Sequence, residues 1–267
     1  LYNYTNRERK DVKMLLTIDV GNTNIKFGVY DGDVLYRTIK LSTDTHKTAD
    51  EFAVELYTLF QVYGIADDII DGCIICSVVP RVTKRLKAAV KSVTGVDALI
   101  VGPGIKTGVN ICIDDPATLG ADLVVACAAA QTLFDIPCIV ISMGTATAMF
   151  VIDENKKMLG GTIAPGVSIS LDALTSHGAL IPSIALNAPD HVIGKNTDDS
   201  IRAGAVVGTA CMIDGMIEKF EKEIGQKCSV VATGGIAPMI VKNCTHDIIL
   251  KDDLILEGLR IIFEKNS

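Results

Sequence analysis

Three short loops of small and polar residues are the places where this chain could handle phosphate. The first is Asp19-Val20-Gly21-Asn22-Thr23-Asn24-Ile25-Lys26. Asp19 closes a strand-like run, and Gly21-Asn22-Thr23 must then turn the chain. Glycine lets the backbone approach a ligand closely, and successive N–H groups in such a turn converge on phosphate oxygens. Asn22 and Thr23 add side-chain donors, with Asn24 completing the loop. Lys26 adds positive charge, and Asp19 can hold Mg²⁺ through water. The same residue types also suit an ordinary hairpin turn. Gly144-Thr145-Ala146-Thr147 repeats the form after a second apolar run. Thr233-Gly234-Gly235 sits between a strand and a helix start, a position that favours anions. There is no Walker Gly-Lys-Ser/Thr run and no dinucleotide fingerprint.

Asp122, in Leu119-Gly120-Ala121-Asp122-Leu123, is the candidate general base. It falls near the start of an otherwise apolar helix. There it can accept a hydroxyl proton during phosphoryl transfer. An acid in a first helical turn also stabilises the helix dipole without any chemistry. His177 reads as a residue near a helix end. The four histidines show no metal-ligand spacing with the cysteines, and no Gly-x-Ser-x-Gly elbow supports a hydrolase.

These loops need strands and helices to hold them. Leu15 to Val20, Lys26 to Tyr30 and Val34 to Lys40 read as an antiparallel meander. Ala49 to Tyr63 has helical periodicity, Cys73 to Val79 is a buried strand, and Pro80 opens a helix to about Thr94. Ala98 to Val101 is a short strand, and Ala117 to Leu133 an alanine-rich helix. The pattern then begins again. Cys138 to Ser142, Thr147 to Ile152 and Met158 to Ala164 repeat the meander. Helices at Val167–Leu174, Ser200–Ile224 and Asp253–Lys265 follow, with a strand at Ser229–Ala232 and a short helix from Ala237. Strands alternating with helices after a meander predict an α/β fold of two similar halves. The split is placed after Leu133, giving halves of 14–133 and 134–267. Residues 1–13 are read as an extension upstream of Met14.

Composition narrows the function. Of 267 residues, 49% are hydrophobic and only 5% aromatic, so the core must be aliphatic. The net charge of -7 argues against a nucleic-acid binder. The basic residues from Arg81 to Lys91 recur at helical spacing and read as a solvated face. The eight cysteines sit mostly in apolar runs, Cys127, Cys138 and Cys211 among them, which suits reduced thiols in the cytoplasm. No apolar run is expected to reach the length of a membrane span.

The chain resembles the type III pantothenate kinases of the actin-like superfamily, from Met14 onward. The resemblance is carried by Asp19-Val-Gly-Asn-Thr23, Ser77-Val-Val-Pro80, Gly102-Pro-Gly-Ile-Lys-Thr-Gly108, Gly120-Ala-Asp122, Gly144-Thr145, Pro165-Gly166, Ile193-Gly-Lys-Asn-Thr197 and Thr233-Gly-Gly235. It implies two actin-like (ribonuclease H-like) halves, each a mixed five-stranded sheet with helices, and a nucleotide cleft between them. It further implies a homodimer that uses ATP, Mg²⁺ and K⁺ or NH₄⁺ to phosphorylate pantothenate. By resemblance, Asp19 to Lys26, Gly144, Thr145, Gly234 and Gly235 bind the nucleotide, Asp122 accepts the proton, and Gly120 to Leu123 line the substrate pocket. Four positions depart from the family pattern. Leu123 replaces a pocket arginine, Ser142 a cation-binding aspartate, Gly178 a substrate-contacting threonine and Ile113 an aromatic residue. Two other functions fit the same residues: a non-catalytic, nucleotide-binding partner subunit, and a kinase for another small hydroxylated metabolite.

Overall fold

The computed structural model describes residues 13–177 and 184–267. In chain order, β1 (Met14–Val20), β2 (Asn24–Asp31) and β3 (Val34–Ser42) precede α1 (Ala49–Tyr63). Next come β4 (Ile70–Ser77), α2 (Pro80–Thr94), β5 (Leu99–Ile100), β6 (Asn110–Ile111) and α3 (Ala121–Leu133). The second series is β7 (Cys138–Met143), β8 (Ala146–Ile152), β9 (Lys157–Pro165), α4 (Val167–His177) and α5 (Thr197–Ile224). It closes with β10 (Ser229–Thr233), α6 (Ala237–Val241), β11 (Ile249–Leu250) and α7 (Leu254–Glu264).

One sheet has the order β3-β2-β1-β4-β5. The other runs β11-β10-β7-β8-β9-β6, so β9-β8-β7-β10-β11 repeats the first order. In both, a meander of three antiparallel strands continues into parallel strands. The predicted duplication is therefore a duplication of topology. The second sheet has six strands where five are expected. The extra one is the two-residue β6, which pairs with β9 and is too short to show a period of its own.

The chain divides into two compact units. The first holds the residues up to Gly108, with Gly120–Val125 and Ile255–Ser267. The second holds Val109–Leu119 and Ala126–Leu254. The units interleave along the chain instead of meeting at one point after Leu133. The first turn of α3 and the whole of α7 from Ile255 belong with the first unit, whereas α3 from Ala126 belongs with the second.

In the first unit, Leu16, Ile18 and Val20 of β1 alternate into the core with Ile25, Phe27 and Val29 of β2. Phe52, Leu56 and Phe60 of α1 and Val82 and Leu86 of α2 cover that face. The termini of both helices are written locally. Thr48 and Glu51 form a capping box at the start of α1, and Gly64 ends it in the left-handed conformation. Pro80 starts α2 and Gly95 ends it in the same way. Leu15 and Thr17 point to the opposite face, because successive strand residues alternate. Here α7 packs. A Cβ at Gly28 would meet Thr17 Oγ1 at 2.6 Å and Leu256 at 3.1 Å, and one at Gly72 would meet Phe263 at 2.5 Å. Gly258 brings α7 against α3, since a Cβ there would lie 2.2 Å from the Val125 carbonyl oxygen.

In the second unit, Val206, Ala210, Ile213 and Ile217 of α5 recur at three- and four-residue spacing and pack with Ile139, Ile141, Met149 and Val230. By length and composition α5 is the one helix among the described residues that could span a membrane, against the expectation of none. Its polar side carries Asp214, which receives Thr245 N–H at 2.8 Å and His246 Nδ1 at 2.8 Å. Cys211, expected in the core, is exposed on the same helix. The eight cysteines are free thiols. α3 begins at Ala121 and not at Ala117. Pro116–Thr118 forms a separate 3₁₀ turn, and the extended Leu119 breaks it from the helix.

Gly258→Ala is expected to destabilise the protein by about 1–3 kcal/mol, because the added methyl must displace backbone at Val125. A urea unfolding midpoint equal to that of the parent would show that α7 and α3 can separate freely.

Candidate active site

The first loop is a tight connection in which the Val20, Gly21, Thr23 and Asn24 carbonyls accept from protein donors. Gly21 N–H donates to Asn24 O at 2.9 Å, and Val78 N–H to Val20 O at 3.1 Å. Thr43, just after β3, donates its N–H to Thr23 O at 2.9 Å and its hydroxyl to Gly21 O at 2.7 Å. Asn22 and Thr23 are exposed. Among the described residues no backbone acceptor meets their N–H groups. The turn therefore presents donors outward, which is the polarity an anion requires. Asn24 opens β2 and is partly buried.

Asp19 precedes this turn. It pairs with Lys26 across the β1–β2 hairpin and with Cys76 in the parallel β1–β4 pair. Alternation places it on the Thr17 face, away from the aliphatic core. Burial raises its pKa to about 7, the Asp122 carboxylate adds to the rise, and Lys26 opposes it. Asp122 is likewise raised by burial, with the Leu123 N–H and its own N–H acting in the other direction. The Cys76 thiol is held well above its ordinary range by burial, by Asp19 and by Asp122, so it stays neutral. Asp19, Lys26, Cys76 and Asp122 thus form one electrostatic cluster within the first unit. Gly120, just ahead of α3, leaves room for Asp122: a Cβ there would lie 2.5 Å from Asp122 Oδ1. Ala121 and Leu123 flank Asp122 and are partly buried.

The second unit gathers the other loops. Ser142, partly buried in β7, is the register partner of Thr233 in β10. Gly144 and Thr145 are exposed at the β7–β8 turn, closed by Gly144 N–H to Ala146 O at 2.9 Å. Gly166 N–H donates to Thr145 O at 3.0 Å, and a Cβ on Gly166 would lie 2.4 Å from Gly144 O. Gly234 has φ +114, and a Cβ there would lie 2.1 Å from Met143 O. These loops are therefore packed backbone to backbone, which only glycine permits. Gly235 beside them is exposed. Ile113 lies elsewhere in this unit, 3.7 Å from a Cβ built on Gly160. Gly178 lies outside the described residues. Thr43, Cys76 and Val78 were not singled out from sequence as site residues. Of these, Thr43 left the clearest trace: a hydroxyl residue where the third meander strand returns to the level of the first turn.

This architecture is the actin-like fold. A protein described as a 2-dehydro-3-deoxygalactonokinase from Sinorhizobium meliloti superimposes with a TM-score of 0.59 at 13% identity, over 94% of this chain and 96% of its own. One described as a Baf family transcriptional activator from Campylobacter jejuni gives 0.59 at 20% identity, over 94% and 98%. The type III pantothenate kinase family model matches residues 15–219. A type III pantothenate kinase of Exiguobacterium sp. is 40% identical over 254 residues, 95% of this chain and all of that one. The chain belongs to the type III pantothenate kinase family.

The buried Asp19 carboxylate makes stability depend on pH. Its folded-state pKa of about 7 lies above that of the unfolded chain. The cost of ionising it is therefore absent in acid, grows as pH rises from about 4, where the unfolded carboxyl ionises, and levels off above about 7. In Mg²⁺-free buffer, Asp19→Asn should match the parent's melting temperature near about pH 4 and exceed it increasingly up to about pH 7, with little further change above. A difference that does not change with pH would contradict the burial of this charge.

Proposed function

We propose that the chain transfers the γ-phosphate of ATP to the primary hydroxyl of pantothenate, giving 4′-phosphopantothenate and ADP in the first step of coenzyme A synthesis. The observation that carries this reading is the pairing of Asp122 with Asp19 beside an outward-facing donor turn, in a chain of this family. Asn22, Thr23 and Lys26 orient and neutralise phosphate oxygens. Asp122 accepts the hydroxyl proton, and its partial burial makes it a stronger base than a solvated carboxylate. Gly120, Ala121 and Leu123 border the substrate. A carboxylate whose pKa is raised by burial and by a neighbouring Asp122 suits a divalent cation nearby, with Asp19 holding Mg²⁺ through water. When bound, Mg²⁺ offsets charge on the transferring phosphoryl group. Gly144, Thr145, Gly234 and Gly235 bind the remainder of the nucleotide.

The monovalent-cation position does not fit as well. Ser142 offers a hydroxyl where charge compensation calls for a carboxylate, so no step is assigned to K⁺ or NH₄⁺. Leu123 removes a charged donor whose hydrogen bond would contribute about 1.5–3 kcal/mol. These two positions favour, as a second reading, a weakly active or non-catalytic subunit that still binds nucleotide. Assembly as a homodimer in the cytoplasm belongs to the main reading, and free thiols suit such a reducing compartment.

The test is ADP release with pantothenate, ATP, Mg²⁺ and K⁺ or NH₄⁺. Turnover should fall by at least about a hundredfold in Asp122→Asn. Turnover that survives this change would remove Asp122 as the base, whereas none in the parent would favour the second reading. Restoring the family residues by Leu123→Arg, Ser142→Asp and Gly178→Thr should then recover activity. Ser142→Asp alone should make turnover more responsive to K⁺. A response unchanged from the parent would place the cation elsewhere.

A further inference from the structure

We propose that Thr43 is the positioning residue that gives the first phosphate turn its donor polarity; this rests on the nucleotide reading above. Thr43 makes two hydrogen bonds to the turn, from different atoms to carbonyls on either side of Asn22. Its hydroxyl takes up Gly21 O, and its N–H takes up Thr23 O. Each of these carbonyls, if released, could rotate toward the ligand side and set an oxygen lone pair against phosphate. A peptide group that turns its carbonyl outward also turns its N–H inward. One lost clamp therefore removes a donor from the anion and adds an acceptor.

Thr43 is itself held in place. Arg85 of α2 donates through Nη1 to Thr45 O at 2.8 Å and to Lys47 O at 2.9 Å. Lys47 pairs with Glu55, and Thr48 caps α1. The segment after Thr43 is thus fastened to both helices that cover the core. On the other side of the turn, Val78 N–H occupies Val20 O. Ser77 Oγ in turn accepts from Val79 N–H at 3.0 Å and Thr83 Oγ1 at 2.7 Å, fixing the start of α2. The turn is gripped from two sides, and Thr43 supplies the grip nearest Asn22 and Thr23. It need not touch the nucleotide.

Thr43→Val keeps shape and the backbone N–H and deletes the hydroxyl, while Thr43→Ser keeps the donor. ATP affinity is measured by calorimetry without pantothenate, and KM for each substrate by ADP release. Thr43→Val should weaken ATP binding by about three- to tenfold, with KM for pantothenate unchanged. Thr43→Ser should stay within about twofold of the parent. Parent-like ATP affinity in Thr43→Val would overturn the proposal. So would an equal loss in Thr43→Ser, because methyl packing would then be the cause. Should Thr43→Val fail to fold by circular dichroism, Thr43→Ala carries the same comparison. A parent chain that binds no ATP would instead overturn the nucleotide reading, and this proposal with it.

Discussion

β1 has one face committed to aliphatic packing, and that commitment fixes where its acid must go. Leu16, Ile18 and Val20 are fully buried against α1 and α2. A shift of one residue in register would drive Asp19 into that core and expose all three. The antiparallel pairing with β2 and the parallel pairing with β4 hold the register from both sides, with Asp19 opposite Lys26 on one and Cys76 on the other. Only then does a carboxylate stand at the mouth of the turn, on the face where Asp122 is also found. The aliphatic core is thus the device that aims the charged group.

That placement carries a cost, and the surrounding residues show how it is contained. Two carboxylates and a thiol share a poorly solvated patch, where Asp122 raises the pKa of Asp19 and both acids raise that of Cys76. Lys26 and the N–H groups at the start of α3 oppose this, without cancelling it. A site left in this state gains from any ligand or ion that brings positive charge or donors.

Much of this was legible in the sequence, for local reasons. α1 and α2 were readable because apolar residues recur at helical spacing in one and a proline opens the other. The meanders were readable because their strands carry period-two or continuous apolar runs. β6 and β11 were not, since two residues have no period. The start of α3 was misplaced because an alanine-rich stretch hides the break at Leu119. Cys211 was expected inside because its neighbours are apolar, yet a helix exposes one side of any such run. The interleaved units could not be read at all, because α7 returns to β1 and β4 from far along the chain. In the site, Asp19 and Asp122 stood out by type. Thr43 did not, since its role comes from sheet geometry that brings the end of β3 beside the first turn.

The return of α7 has a consequence for biosynthesis. Its Leu256 and Phe263 contacts complete the Thr17 face of the first sheet, and they are made only after the whole of the second unit has left the ribosome. Until then β1, β2 and β4 can pair and bury their core side against α1 and α2, while the other side stays open to water or to chaperones. Contacts so distant in sequence form late and slowly. The surface that bears Asp19 is therefore finished last.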